Sequence, residues 1–296
     1  MKAPDESLAR VIRSVAGDQE VSPSAIPGVA CVRRPTTGLM ENRRWRACLA
    51  VVAEGTKELV LGSVTYRLSP GHWTLTPVPL PVTSRIAGAP FGCVIVELTP
   101  SDLGRMVMAM DPRDAEPGGV APGIFMGEVD PAMRDVIHRM STLLGSCEAG
   151  RVLGTGCVSE LLFHVLRGAT GPAIRRYLRA DGVAHRICEV ALHIEAQLER
   201  PIDIEALCVA AHVSRTAFYE HFKHMTSLSP VQYQKRLRLL RAQHLMVHEH
   251  TTAEDAAFRV GYQSPSHFSR DYARLFGEPP HQNATRLREQ GRSVEG

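Results

Sequence analysis

The sequence predicts an α+β chain of two units: a β-sandwich or barrel with trailing helices, then an all-α unit of two helix-turn-helix modules joined by one long helix. Three observations predict it. Between residues 47 and 97, short apolar runs alternate with turn residues, as strands do. After Pro100 the apolar spacing changes to that of helices. In the last third, one pattern of aromatic anchors occurs twice, about fifty residues apart. A length of 296 residues also exceeds what one hydrophobic core usually organises, so each unit has chain enough to bury its own interior.

Taken in order, residues 1–24 read as an irregular arm, because Pro4, Pro23, Pro27 and Gly28 break any helix. The runs 48–53, 59–61 and 94–96 read as strands, separated at Gly55, Gly62-Ser63, Pro70-Gly71 and Gly88. Val64, Tyr66 and Leu68 alternate with Thr65 and Arg67, the period of a strand with one face buried and the other wet. Leu103, Val107 and Met110, then Met133, Ile137, Met140 and Leu144, carry helical spacing. A further helix over 158–166 stops at Gly168 and Gly171-Pro172, and a short one over 173–179 leads to Asp181-Gly182. That break divides the chain into a first unit over 25–180, a second over 183–286 and a tail over 287–296.

The second unit carries the functional signal. Phe218, Phe222 and Met225 recur at i, i+4 and i+7, with Pro230 eight residues after Phe222; Phe268, Tyr272 and Leu275 do the same, with Pro280 eight residues after Tyr272. Upstream of each trio lies a short helix and a tight turn, 204–211 before His212-Val213 and 253–260 before Gly261-Tyr262. Small Cys208 and Ala257 sit where the paired helices must approach. Ser214 caps one following helix, and Ser264 before Pro265 caps the other. Helix, turn, helix is the plan of a DNA reader.

With the aromatic stripes turned inward, the outward candidates are Ser214, Arg215, Thr216, Tyr219, Glu220 and Lys223 in the first module. In the second they are Ser266, His267, Ser269, Arg270 and Arg274. Such side chains suit the major groove, where Arg pairs with guanine, Glu accepts from cytosine and Ser or Thr serves either base. A continuous helix from Ser229-Pro230 joins the modules. Its inner face is read as Tyr233, Leu237, Leu240 and His244, and its outer face as Lys235, Arg238 and Arg241, with Lys235 and Arg238 reaching phosphate. About 17 residues make a strut of roughly 25 Å, suited to setting two helices into successive major grooves about 34 Å apart. Aromatic residues at i and i+4 are by themselves ordinary helix core, and helical repeats also build protein-binding solenoids. Two matched, capped modules around a basic helix decide for DNA.

Bulk properties narrow the rest. A net charge of +3 does not itself point to nucleic acid, so the weight falls on the local run Lys235, Arg236, Arg238 and Arg241, which has no acid within it. The seven cysteines, Cys31, Cys48, Cys93, Cys147, Cys157, Cys188 and Cys208, form no Cys-x-x-Cys pair and read as small hydrophobes in a reducing compartment. No apolar run approaches the roughly 20 residues of a membrane helix, and residues 1–10 lack a signal-peptide core, so a cytoplasmic protein is expected.

The stretch 186–286 resembles the AraC/XylS class of bacterial regulators. Val260-Gly261-Tyr262, Phe268-Ser269-Arg270, Leu275-Phe276-Gly277 and Pro279-Pro280 follow that family's signature order. The resemblance implies DNA contact through Arg215, Thr216, Tyr219 and Glu220, and through Ser266, His267 and Arg270. His212 departs from it, standing in a turn where many members carry glycine, which tolerates a left-handed backbone better. Residues Ala25-Ile26-Pro27-Gly28, Val52-Ala53-Glu54-Gly55-Thr56-Lys57, Leu68-Ser69-Pro70-Gly71-His72 and Leu80-Pro81-Val82 resemble the AraC-type N-terminal domain. This implies a cupin-like barrel for effector binding or dimerisation. Double-stranded promoter DNA and RNA polymerase are the implied partners, with activation favoured over repression.

Cupin barrels often hold a catalytic metal, which needs a cluster such as His-x-His with a carboxylate. His72 stands alone, with Glu97 a distant partner, and no His-x-His pair, nucleophile elbow, phosphate loop or dinucleotide fingerprint occurs. No metal, no cofactor and no enzyme are expected. Trp45, Arg67, Trp73, Arg85 and Glu97 are candidates to line a small-molecule pocket, each equally readable as packing or surface. In the alternative reading the first unit has no effector and only forms a homodimer or binds a protein partner.

Overall fold

The expected arm is a helix in the computed structural model, which describes residues 6–17, 19–38, 41–98, 100–110, 120–179 and 182–292. In α1 (Glu6–Ala16), Leu8, Ala9, Ile12 and Ala16 share one buried face, and Gly17 at φ +55° ends it. The prolines that suggested an irregular arm flank this amphipathic run rather than interrupt it. Pro23 lies in the following strand, β1 (Val21–Pro23).

Seven further strands complete one antiparallel sheet: β2 (Val29–Arg34), β3 (Glu41–Trp45), β4 (Cys48–Leu61), β5 (Val64–Leu68), β6 (His72–Thr76), β7 (Leu80–Glu97) and β8 (Phe125–Glu128). Its path is β1-β2-β7-β4-β6-β8, with β3 on β7 and β5 on β4. Gly55 and Gly88, expected as breaks, lie inside the long strands β4 and β7. The register shifts between Val52 and Lys57, and Gly55 at φ +73° takes up the irregularity; a Cβ there would lie 2.3 Å from the Pro90 carbonyl oxygen. Such bulges bend a strand without ending it. The first half of β4 therefore pairs with β6 and its second half with β5, while β7 pairs with β3 and then β2. Val64, expected inside, is 47% exposed because it starts β5 at the tip of the hairpin.

The trailing helices are α2 (Pro100–Ala109), α3 (Pro131–Leu143), α4 (Cys147–Arg167) and α5 (Gly171–Leu178). α4 begins well before residue 158. Gly150 and Gly154 conceal the helix in the sequence, yet they let it lie close against Ala25 and Ile26. The last seven helices are α6 (Val183–Ala196), α7 (Ile204–Ala211), α8 (Arg215–Thr226), α9 (Pro230–His248), α10 (Ala253–Arg259), α11 (Pro265–Phe276) and α12 (Pro280–Arg292). α12 continues as helix into the expected tail.

The interior does not divide at the expected boundary. Asp181 lies outside the described residues, and Gly182 is the N-cap of α6. One buried cluster runs from Leu8 through the sheet and the first module as far as Leu237. A second cluster, including Leu239, Leu245, Ala257, Phe268 and Tyr272, serves the second module. The two cores meet along α9.

Arg238 of α9, expected to face outward, is turned inward. Its guanidinium donates to the carbonyl oxygens of Leu198, Arg200 (2.9 Å) and Gly261 (3.3 Å), while Gln234 Nε2 donates to those of Arg200 (2.6 Å) and Leu198 (3.3 Å). The connection between α6 and α7 is thus fastened to α9 and to the turn of the second module. Gly261 makes that approach feasible: at φ +86°, its added Cβ would sit 2.2 Å from the Glu199 carbonyl oxygen. His212 occupies the matching left-handed position of the first module, at φ 51° and ψ 45°, as the C-cap of α7.

Chemical denaturation of full-length variants tests these assignments. Gly261→Ala loses about 3 kcal/mol, from a positive φ and a backbone clash together. Arg238→Ala loses about 2 kcal/mol, because carbonyl oxygens lose their donors in a half-buried site; unchanged stability would remove the clamp. His212→Gly moves the other way, gaining about 0.5–1 kcal/mol by relieving the left-handed backbone.

Candidate nucleic-acid interface

Each module is set by its caps and its aromatic anchors. Asp203 accepts from the backbone N–H groups of Glu205 and Ala206 to start α7, and Ser214 Oγ accepts from Ala217 N to start α8. Phe218, Phe222 and Met225 are fully buried, and the Phe222 ring meets Tyr233 of α9 edge-on at 5.3 Å. α8 therefore presents Ser214, Arg215, Thr216, Glu220 and Lys223 to solvent, with Tyr219 half-buried beside Phe218. Arg215 lies 2.9 Å from Glu205 of α7 in an exposed ion pair, which leaves it available to a stronger acceptor.

The second module repeats the device. Thr252 caps α10, and Ser264 Oγ accepts from His267 N at the start of α11. Phe268 and Tyr272 are fully buried, whereas Leu275, the third expected anchor, is half-buried. Ser266, His267, Arg270 and Arg274 are exposed, and Ser269 is half-buried.

The basic run on α9 is mostly spent inside the protein. Lys235 Nζ lies 2.6 Å from Asp271 of α11, whose side chain is 7% exposed and also accepts from the Tyr262 hydroxyl at 3.3 Å. Arg236 donates to Asn42 Oδ1 (2.6 Å) and Thr83 Oγ1 (3.3 Å). With Arg238 in its clamp, Arg241 is the exposed member of the run. The expectation of an outward phosphate contact is thus corrected for Arg238, which is turned to backbone carbonyls, while Lys235 is held by Asp271 with its side chain 42% exposed. His244, read as inward, is exposed, its ring 4.7 Å from that of His248. Partial burial and the charge of His248 lower its pKa.

Sequence reasoning missed the seat of the sheet domain on these helices. Tyr233 Oη donates to the Pro79 carbonyl oxygen (2.6 Å), Gly123 N to that of Met225 (2.9 Å), and Arg44 of β3 pairs with Glu195 of α6 (2.6 Å). Asn42 accepts from Arg236 of α9 and donates through Nδ2 to the Leu275 carbonyl oxygen of α11 at 3.0 Å. Arg236 carried a faint signal, as one cation too many on a helix with apolar neighbours. Nothing local marked Asn42.

The expected pocket residues do not gather. Trp73 is core, donating from Nε1 to the Glu128 carbonyl oxygen at 3.1 Å. Arg67 and Arg85 are exposed and meet at Glu58, while Glu97 pairs with Arg46 in solvent. These three are corrected from pocket to surface. Trp45 alone keeps the character of a site residue: it is buried, Lys57 Nζ lies 4.5 Å from its ring centroid, and its indole N–H has no hydrogen-bond partner among the described residues. His72 Nδ1 lies 3.0 Å from the Ser69 carbonyl oxygen, a turn contact. Among the described residues no group of three His, Cys, Asp or Glu side chains could hold a metal ion. Burial pushes the Cys31, Cys48 and Cys188 thiols up to about 12, which suits unreactive core positions. No helix among the described residues is long and apolar enough to cross a membrane.

The fold is similar to that of ToxT from Vibrio cholerae, with a TM-score of 0.59 and 11% identity over 87% of this chain and 97% of that one. ToxT with a bound unsaturated fatty acid aligns with a TM-score of 0.54 and 12% identity over 87% of this chain and 93% of that one. In sequence, the chain is 27% identical over 155 residues to the transcriptional activator RhaS of Escherichia fergusonii, covering 51% of this chain and 54% of RhaS. It is 36% identical over 95 residues to the transcriptional regulator GbdR of Pseudomonas aeruginosa, covering 32% of this chain and 26% of GbdR. The chain thus spans about a quarter to about half the length of these relatives. A helix-turn-helix domain model matches residues 207–286. The model of the AraC-type transcriptional regulator N-terminus matches residues 25–173, half of the chain, and the protein therefore belongs to the AraC-type transcriptional regulators, a family of DNA-binding proteins rather than enzymes.

Proposed function

We propose that this regulator reads promoter DNA in the bacterial cytoplasm with α8 and α11, activates transcription through contact with RNA polymerase, and is controlled by a small molecule held in its N-terminal sheet domain. One observation carries the reading: two separately capped helices, each anchored by buried aromatics, present exposed residues of base-reading type on their free faces. Arg215, Thr216, Glu220 and Lys223 serve the first groove; Ser266, His267, Arg270 and Arg274 serve the second. Ser214, Tyr219 and Ser269 lie at the edges of these faces.

Control runs through β3. Asn42 touches α9 and α11 at once, and Trp45 lies on the same strand, so a ligand against Trp45 acts on the strand that seats the second module. Such a ligand must bind the two seatings with different affinity to have any effect. Lys57 beside Trp45 suits an apolar body with a carboxylate. ToxT itself has been seen with an unsaturated fatty acid and with an arylbutenoic acid. A second reading, a sheet domain that only dimerises or binds a protein partner without an effector, is supported by Val152, Leu153 and Phe163 of α4, which stand exposed.

Binding of full-length protein to DNA upstream of its own gene, against an unrelated duplex and across salt concentrations, tests the DNA reading. Arg270→Ala weakens binding and relaxes selection at one base pair by about 10- to 100-fold, whereas Lys223→Ala weakens all sequences evenly and flattens the salt slope by about one. Equal affinity for both duplexes, or matching effects of the two variants, would overturn these roles. The effector reading is tested in Trp73→Phe, where Trp45 becomes the one remaining tryptophan of the two. Oleate should shift its emission saturably and alter DNA affinity; an emission unmoved by oleate or by short-chain acids removes this ligand class.

A further inference from the structure

One carboxylate is set among the cations of the second reading helix. Asp271 of α11 is buried, with Lys235 Nζ of α9 at 2.6 Å, and the Tyr262 hydroxyl donates to it at 3.3 Å. His267 Nδ1 and an Arg274 guanidinium nitrogen lie 3.8 and 3.9 Å from its oxygens. Residues 267, 271 and 274 recur at i, i+4 and i+7, so the three form one stripe along the edge of the reading face that adjoins α9. The outer two members of the stripe are exposed, and Lys235 is half-exposed. Three groups able to meet DNA are thus gathered on a single anion that is itself covered. The first module has no such device: fifty residues earlier, the matching positions hold Ala217, His221 and His224.

Affinity does not account for this carboxylate. A negative charge beneath a surface that meets phosphates opposes binding, and each cation it engages is one fewer to displace counterions from DNA. Burying it also has a desolvation cost that only its partners offset. Holding α11 against α9 does not call for a charge either, since Phe268 and Tyr272 share a buried apolar core with Leu239 and Leu245. What the carboxylate supplies is orientation. A long cationic side chain with no partner samples many rotamers and follows any phosphate it meets. Drawn to a fixed anion, Lys235 is kept from the DNA backbone, and His267 and Arg274 are held along one edge of the helix. Phosphate contacts position a protein without selecting sequence, so a surface that limits them leaves a larger share of the binding energy to base edges.

We propose that Asp271 is a positioning residue for base selection, restraining Lys235 from phosphate and holding His267 and Arg274 for the base edges; this rests on the reading of α11 as a DNA-reading helix. Selection by the full-length protein from a random-sequence duplex pool tests it, followed by titration of the selected duplex and a scrambled one across salt concentrations. Asp271→Asn keeps the shape of the side chain and an acceptor for Tyr262, and circular dichroism confirms that each variant is folded. It should tighten binding to scrambled DNA about three- to tenfold, steepen the salt slope by about one, and lower the ratio of selected to scrambled affinity about tenfold. Adding Lys235→Gln should return the slope to its wild-type value without restoring the ratio, because His267 and Arg274 stay unheld. An unchanged ratio and slope in Asp271→Asn, or equal weakening of both duplexes, makes Asp271 a structural tie and overturns the proposal. A steep slope that Lys235→Gln leaves in place overturns Lys235 as the restrained cation. A wild-type protein that enriches no sequence overturns the DNA reading itself.

Discussion

A carbonyl oxygen turned away from water must find a donor, and in the connection between α6 and α7 those of Leu198 and Arg200 find theirs on α9. Arg238 and Gln234 satisfy Leu198 and Arg200, and the same guanidinium reaches the Gly261 carbonyl. The position of the first module, the placement of α9 and the start of the second module are therefore fixed by one set of hydrogen bonds. Because Gly261 lets the chain pass against Glu199, the two modules approach more closely than any residue with a side chain would allow.

The two modules relate differently to the sheet domain. The first shares its apolar core, through Phe218, Phe222, Tyr233 and Leu237. The second keeps a core of its own and is tied to β3 by polar contacts, Asn42 to Leu275 above all, with Arg236 bridging from α9. Polar contacts exchange for water at small net cost, whereas apolar burial does not. The contact of the second module with the sheet domain is thus the more easily exchanged of the two. The reading faces differ in the same sense, since Arg215 leans on Glu205 within its own module, while Lys235 of α9 holds Asp271 beneath the reading face of α11.

The legible parts were those with local causes. Caps at Ser214, Ser229 and Ser264, the aromatic trios and the tight turns are written within a few residues of one another, and they located both modules and the outward faces of α8 and α11. α9 was misread because most of its circumference is covered: Tyr233, Gln234, Leu237, Leu239, Leu240, Ala242, Leu245 and Met246 are buried, which leaves Arg241, His244 and His248 exposed. Charge was then the remaining guide, and it assigns Lys235 and Arg238 to solvent, although Lys235 pairs with Asp271 of α11 and Arg238 with carbonyl oxygens of the connections between helices. Gly55 and Gly88 misled for a related reason, since a glycine that bends a strand and a glycine that ends one look alike until the partner strand is known. Arg67, Arg85 and Glu97 were grouped by residue type, but strand alternation and the register of β4 with its neighbours send them to the surface.

The meeting of the two cores inside α9 changes what counts as a part of this molecule. Truncation at the Gly182 break would not release a self-contained reader. It would strip the Tyr233 hydroxyl and the Cys188 thiol of the Pro79 and Pro77 carbonyls and the Met225 carbonyl of the Gly123 N–H, while leaving the core of the second module whole. Exchange of sensor domains between regulators of this build would meet the same obstacle, because the junction that looks like a linker in sequence is continuous as a solid, and the natural seam runs through the middle of a helix.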